Sequence, residues 1–234
     1  MIHKNLNKSD PGRGIIMYVR KSVDFSELNF SVNFVEYLSI EIMLSNNEKL
    51  LLNFMYRSPN SSDVNNLDCL KFLKHIHDLN YSYYAYFGDF NFSDISWEVS
   101  TTDTNSFGFS SLTLESVRNY SPENIHCKFI ETIQDCFLFQ HITMPTRGRE
   151  SDTPSTLDLF LTSHNDMVND IQYLDPIGKS DHSVIVVNLN VSSHNIAGDE
   201  YFVVESNNIN SFKRNLDLHW QNQPVKFNFN EDLI

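Results

Sequence analysis

Tyr86-Phe87-Gly88-Asp89-Phe90-Asn91-Phe92 decides the reading of this chain. The apolar, aromatic run Tyr81 to Phe87 has the composition of a buried strand. It ends at Gly88, which permits close backbone approach or an unusual turn. A carboxylate (Asp89) and an amide (Asn91) follow, two residues apart, so an extended segment puts both on one side. Far downstream, Ser180-Asp181-His182 leads directly into a second strand signal, Ser183 to Val191.

Working outward, Val35 to Leu44 alternates, with Leu38, Ile40, Ile42 and Leu44 on an apolar face. Asn46-Asn47 marks a turn and Lys49 to Tyr56 returns, which predicts an antiparallel hairpin. Leu67, Leu70, Phe72, Leu73 and Ile76 recur at helical spacing. Ile125, Phe129, Ile130, Ile133 and Phe137 mark a second helix. Gly14 to Arg20, Ser155 to Ser163 and Ile171 to Leu174 read as further strands, and 93–122 as a long loop or insertion. His75 and His77 are expected on a solvated helix face. Residues 1–13 are polar and read as a disordered N-terminal segment, 14–191 as the folded domain, and 192–234 as a linker-like tail. Strands that alternate with helices but also form hairpins predict an α/β (α+β) sandwich.

With 41% hydrophobic and 13% aromatic residues, the 234-residue chain has ample material for a packed core. It contains no apolar run long enough to span a bilayer, and the N-terminus lacks an apolar signal region, so no membrane partner is expected. Cys69, Cys127 and Cys136 are widely spaced and form no CxxC, which fits buried thiols in a reducing, intracellular compartment. The net charge of −13 argues mildly against nucleic acid, which favours a basic face. Sites that work with metal ions concentrate carboxylates, however, and net charge says nothing about local patches.

Asp89 is suited to orient and deprotonate an attacking water, and Asn91 to hold a phosphate oxygen without repelling it. Asp158 sits between Leu157 and Leu159, and a carboxylate in such a run needs a partner. His182 is the candidate: the pair would hold the imidazole in one orientation and favour its cation. That cation stabilises charge growing on phosphorus-bound oxygens. Asp181 is placed to reach a divalent cation through water, and Tyr56 to donate a phenolic hydrogen bond. Each residue alone has a plainer reading. Asp-x-Asn and Asp-His are usual turn chemistry, Tyr56 a core ring with a wet hydroxyl, and Asp158 a partner for backbone N–H. Arg147-Gly148-Arg149 is a basic cluster that reads equally as a nucleic-acid contact or a solvated loop.

The combination is more specific than its members. Tyr56-Arg57-Ser58-Pro59, Gly88-Asp89-Phe90-Asn91, Ser155-Thr156-Leu157-Asp158-Leu159 and Ser180-Asp181-His182-Ser183, in that order, resemble the endonuclease/exonuclease/phosphatase superfamily. The continuation to Asp94-Ile95-Ser96-Trp97, and Pro145-Thr146-Arg147 ahead of the Leu-Asp-Leu strand, resemble the endonuclease domain of non-LTR (LINE-type, jockey-like) retrotransposon polyproteins. The resemblance implies a four-layer sandwich, two facing β-sheets flanked by helices, and Mg2+-dependent (or Mn2+-dependent) phosphodiester hydrolysis. It assigns Asp89 to activating water, Asn91 to orienting water and phosphate, and Tyr56 to buttressing the site. Asp181 would lie near the metal, and His182, paired with Asp158, would bind the scissile phosphate. It further implies DNA as partner, a reverse transcriptase domain in the full-length element, and action in the nucleus on genomic DNA.

One departure stands out. The family's first strands, carrying an Asn and a metal-binding Glu, precede the stretch matching Gly14 to Arg20. Here only thirteen residues come before it, and none is Glu. Glu36 and Glu41 lie downstream, out of order. The chain is therefore expected to be an N-terminally truncated copy with those strands missing. Two other readings stay open: another phosphodiesterase or phosphatase of the superfamily, or a non-catalytic remnant serving as a binding module.

Overall fold

The computed structural model describes residues 2–5, 14–45, 47–97, 121, 123–148, 153–178 and 180–191. The expected insertion at 93–122 and the tail at 192–234 lie largely outside the described residues.

The alternating run and its return build the centre of the fold. Strands β4 (Tyr37–Met43) and β5 (Lys49–Tyr56) pair antiparallel, from Tyr37 opposite Met55 to Met43 opposite Lys49. Strand β6 (Tyr83–Asp89) lies parallel to β5. A parallel neighbour requires a crossover, and helix α1 (Asp63–Asp78) supplies it. The Ser62 hydroxyl caps α1 by accepting from the Asn65 N–H at 3.2 Å. With β3 (Phe25–Leu28), β7 (Phe139–Gln140) and β8 (Asp158–Thr162), these strands form a six-stranded sheet, in the order β3-β4-β5-β6-β8-β7.

The sheet is buried on both faces. On one side α1 and α2 (Ile125–Asp135) pack Phe72, Leu73, Ile76, Phe129, Ile130 and Ile133 against Tyr37, Leu51, Met55, Tyr86 and Leu161. On the other, Leu38, Ile40, Ile42, Leu50, Leu52, Ala85 and Phe160 form a second core. Two hairpins cover that core: β1 (Ile2–Asn5) with β2 (Gly14–Met17), and β9 (Val168–Leu174) with β10 (Val184–Leu189). Ile15, Met17, Ile171, Tyr173, Ile185 and Val187 point into it. The architecture is a mixed α/β sandwich: helices, a six-stranded sheet and a facing layer of two hairpins. No second helical layer is seen over the hairpins among the described residues.

Three details differ from the sequence reading. Residues 2–5 are a strand rather than disordered, because Ile2 pairs with Met17 and packs on the second core. The apolar face of β4 is not opposite a wet face, since Tyr37 and Ser39 are buried too. Ser39 is accommodated by donating to Asn53 Oδ1 at 2.6 Å, while Asn53 Nδ2 donates to the Ala85 carbonyl at 3.1 Å. His75 and His77 are half-buried rather than solvated. His77 Nδ1 lies 2.7 Å from the Tyr84 hydroxyl, and His75 packs edge-on against Phe30. All three cysteines are buried free thiols.

Candidate active site

Strand register gathers the first three residues. Tyr56 is the cross-strand partner of Asp89, and Asp89 that of Asp158, so the three stand in one row across β5, β6 and β8. Alternation puts Asp89 on the face of Ala85 and Phe87, and Asp158 on that of Phe160. The row therefore caps the core between the sheet and the hairpins. His182, two residues ahead of β10, enters from the hairpin layer and places Nδ1 2.8 Å from Asp158 Oδ2. A carboxylate acceptor fixes the proton on Nδ1, which leaves Nε2 to act. That bond, more than any other influence, raises the His182 pKa above its ordinary 6.5. Asp89, half-buried, moves up as well, to about 6, first because it is desolvated and next because the Asp158 charge lies close.

Asn91 is not in an extended segment. Strand β6 stops at Asp89, and Asn91 adopts a left-handed backbone with φ of 52°, which Asn tolerates. Its N–H donates to Asp89 Oδ1 at 3.1 Å and its Nδ2 to the Arg57 carbonyl at 2.8 Å. The motif is thus a closed turn that holds the Asp89 carboxylate.

Asp181 and His182 take different partners. Asp181 Oδ2 accepts from Arg147 Nε at 3.0 Å, so the basic cluster serves the site loop, and Arg149 lies outside the described residues. The segment carrying Arg147 also holds a residue the sequence reading left without a role. Thr146 is fully buried, and its hydroxyl accepts from the N–H groups of Leu157 (3.1 Å) and Asp158 (3.0 Å). Its carbonyl accepts from the Ser183 N–H at 2.7 Å. Thr146 thereby ties the Asp158 strand to the His182 loop. The signal in sequence was its place next to Arg147, ahead of the Leu-Asp-Leu strand. Thr146→Val keeps the shape and strands two N–H groups, so urea denaturation is expected to show a loss of about 3 kcal/mol. A loss below about 1 kcal/mol would mean that solvent satisfies them.

The cation implied by the resemblance has to fit the donors present. Among the described residues, no three His, Cys, Asp or Glu side chains gather to hold a metal ion. Asp158 is engaged by His182, and Asp181 by Arg147. Glu36 accepts from Ser58 and Asn65, and Glu41 from Tyr81 and Lys49, so neither substitutes for the family's Glu. These donors do not make a cation site by themselves.

No curated protein matches the chain. Several solved structures resemble it, among them the following three. The endonuclease domain of TRAS1, a telomere-specific non-LTR retrotransposon, aligns with a TM-score of 0.51 at 14% identity, over 71% of this chain and 67% of that one. A likeness at that identity shows the fold. The 3′ phosphatase NExo from Neisseria, bound to product DNA hairpin, gives 0.46 at 10% identity, over 74% and 72%. The Xenopus laevis APE2 catalytic domain gives 0.44 at 12%, over 71% and 58%. A sequence profile of the family described as endonuclease-reverse transcriptase matches residues 50–186, more than half of the chain. That span runs from β5 into β10 and contains Tyr56, Asp89, Asn91, Asp158 and the Asp181-His182 pair. The chain belongs to the endonuclease-reverse transcriptase family of the endonuclease/exonuclease/phosphatase superfamily.

Proposed function

We propose that this domain hydrolyses a phosphodiester bond of DNA and nicks one strand, as an endonuclease of the non-LTR retrotransposon type. The observation that carries the reading is the Asp158–His182 pair, set in register beside the half-buried Asp89 at the rim of the sandwich. In its ionised form Asp89 takes a proton from the attacking water. The His182 cation, oriented by Asp158, binds the scissile phosphate and gains strength as charge builds there. Asn91, held in its turn, orients water and phosphate, and the Tyr56 hydroxyl buttresses the row. Asp181 is kept near the phosphate by Arg147. Mg2+ or Mn2+ is the cofactor implied by family membership, and water-mediated contact to Asp181 remains its proposed link to this chain. A reverse transcriptase domain that extends the nicked end is the implied partner, and the nucleus the implied place of action. No described helix is long and apolar enough to cross a membrane.

The test is conversion of supercoiled plasmid to open circles with Mg2+ or Mn2+. His182→Ala is expected to slow it by on the order of 10²- to 10³-fold. A clean preparation that nicks equally well without His182 sinks the assignment. A second reading, a non-catalytic DNA-binding module, draws on the lack of three metal-ligating side chains in one place among the described residues. Retained DNA binding in a gel shift, with no nicking in either cation, identifies it.

A further inference from the structure

The turn that carries Asp89 and Asn91 is held by a buried charge with no part in the chemistry above. Arg57, only 5% exposed, follows Tyr56 at the end of β5. Its main-chain N–H donates to the Asp89 carbonyl at 2.8 Å, and its carbonyl accepts from Asn91 Nδ2 at 2.8 Å. Its side chain passes beneath the same turn. Nη1 donates to the carbonyls of Phe90 (3.1 Å) and Asn91 (2.9 Å), and Nε donates to Asn66 Oδ1 on α1 at 2.8 Å. The guanidinium carbon lies 4.1 Å from the centre of the Phe92 ring, which stacks in turn on Phe129 of α2.

Burial of this charge is costly, and burial lowers the guanidinium pKa. Among the described residues no carboxylate ion-pairs with Arg57; its partners are two carbonyls, an amide oxygen and a ring. An apolar side chain would fill the space at less cost to the core. What an apolar side chain would not supply is a planar group whose Nη1 holds two successive carbonyls of the turn while its Nε reaches α1. The same guanidinium bonds to α1 through Asn66, and the Phe92 ring it packs on stacks against Phe129 of α2.

We propose that Arg57 is a positioning residue: it clamps the Gly88–Phe92 turn to α1 and α2 and thereby sets Asp89 and Asn91 for attack on the phosphate. This rests on the nuclease reading. Displacement of an attacking group by a fraction of an ångström lowers turnover more than affinity.

Arg57→Lys keeps the charge and removes the planar group that bonds the two carbonyls and Asn66 at once. It is expected to lower kcat for nicking by on the order of 10²-fold and to leave KM within about threefold. Asn66→Ala removes the Nε acceptor, together with the 3.4 Å bond from Asn66 Nδ2 to the Ser61 carbonyl, and is expected to lower kcat by about tenfold. A second measurement needs no turnover: the carboxyl carbon of Asp89, followed by NMR in isotopically labelled protein. Its midpoint, about 6 in the native turn, should fall toward 3.8 in Arg57→Lys as water reaches the loosened turn. Wild-type kcat together with an unchanged Asp89 midpoint in folded Arg57→Lys overturns the proposal. If Arg57→Lys does not fold, Asn66→Ala decides on the same two readouts. If the wild type itself does not nick DNA, the nuclease reading fails, and the Asp89 midpoint still decides whether Arg57 holds the turn.

Discussion

Asp89→Asn is expected to slow DNA nicking by on the order of 10³-fold, because it removes the proposed general base and keeps the shape of the turn. The amide still offers an oxygen to the Asn91 N–H, the 3.1 Å bond that closes the turn. Loss of rate without loss of stability is therefore the expected signature, read from plasmid nicking and urea denaturation side by side. The pH profile gives an independent check. Asp89 accepts a proton only when ionised, so nicking should rise with pH and level off above about 6. The upper limit comes from His182, whose cation persists above 6.5 because of the Asp158 bond. The sign for stability is the reverse of that for rate. The folded pKa of Asp89 is raised from 3.8, so the native state holds the proton more tightly than the unfolded chain. Stability conferred by protonated Asp89 is full below 3.8 and is lost as pH rises through about 6. In Asp89→Asn that stretch of the stability curve should flatten. A profile whose acid limb survives the substitution unchanged places the base elsewhere.

The stability that Asp89 gives up supports its proposed role in the site over a role in the turn alone. An Asp closing an ordinary turn stays solvated and ionised. Asp89 is instead pressed beside Asp158 at the rim of a dry core. The same contrast explains how much was legible in the sequence. The hairpin of β4 and β5 was readable because its alternation and turn are local, and Asp158 needed a partner because it sits between two leucines. His182 was named as that partner from the order of motifs, and strand register brings the two together. The short strands β1, β3 and β7 were not readable. Each has too few residues for a pattern and exists through pairing with a longer neighbour. Arg57 and Thr146 were also missed as structural elements of the site. Their partners are mainly backbone groups brought near by tertiary folding, and such groups leave no trace in residue type. Asn91 was misread for a related reason: spacing of two implies a shared side only while the strand continues, and here it has ended.

Gly88→Ala should be the most destabilising single substitution in the motif, with an expected loss of about 4 kcal/mol in urea denaturation. Two costs add at this position. The backbone φ of 135° is open to glycine and strained for any L side chain. A Cβ built there would also lie 2.0 Å from the Met55 carbonyl oxygen, far inside contact distance. Met55 is the register partner of Gly88 on β5, so the clash falls on the parallel ladder itself. Relief requires β5 and β6 to separate one residue before Tyr56 and Asp89, the pair that opens the candidate-site row. Glycine is thus what lets the two strands stay paired up to the point where both deliver their side chains. The neighbouring control is Gly178→Ala: φ is 64°, but nothing lies within 4 Å of a built Cβ, so only the backbone strain of about 1 kcal/mol remains. Equal losses at the two positions would show that backbone conformation alone sets the cost. A loss at Gly88 several times that at Gly178 identifies the close approach of β5 as the reason the motif begins with glycine.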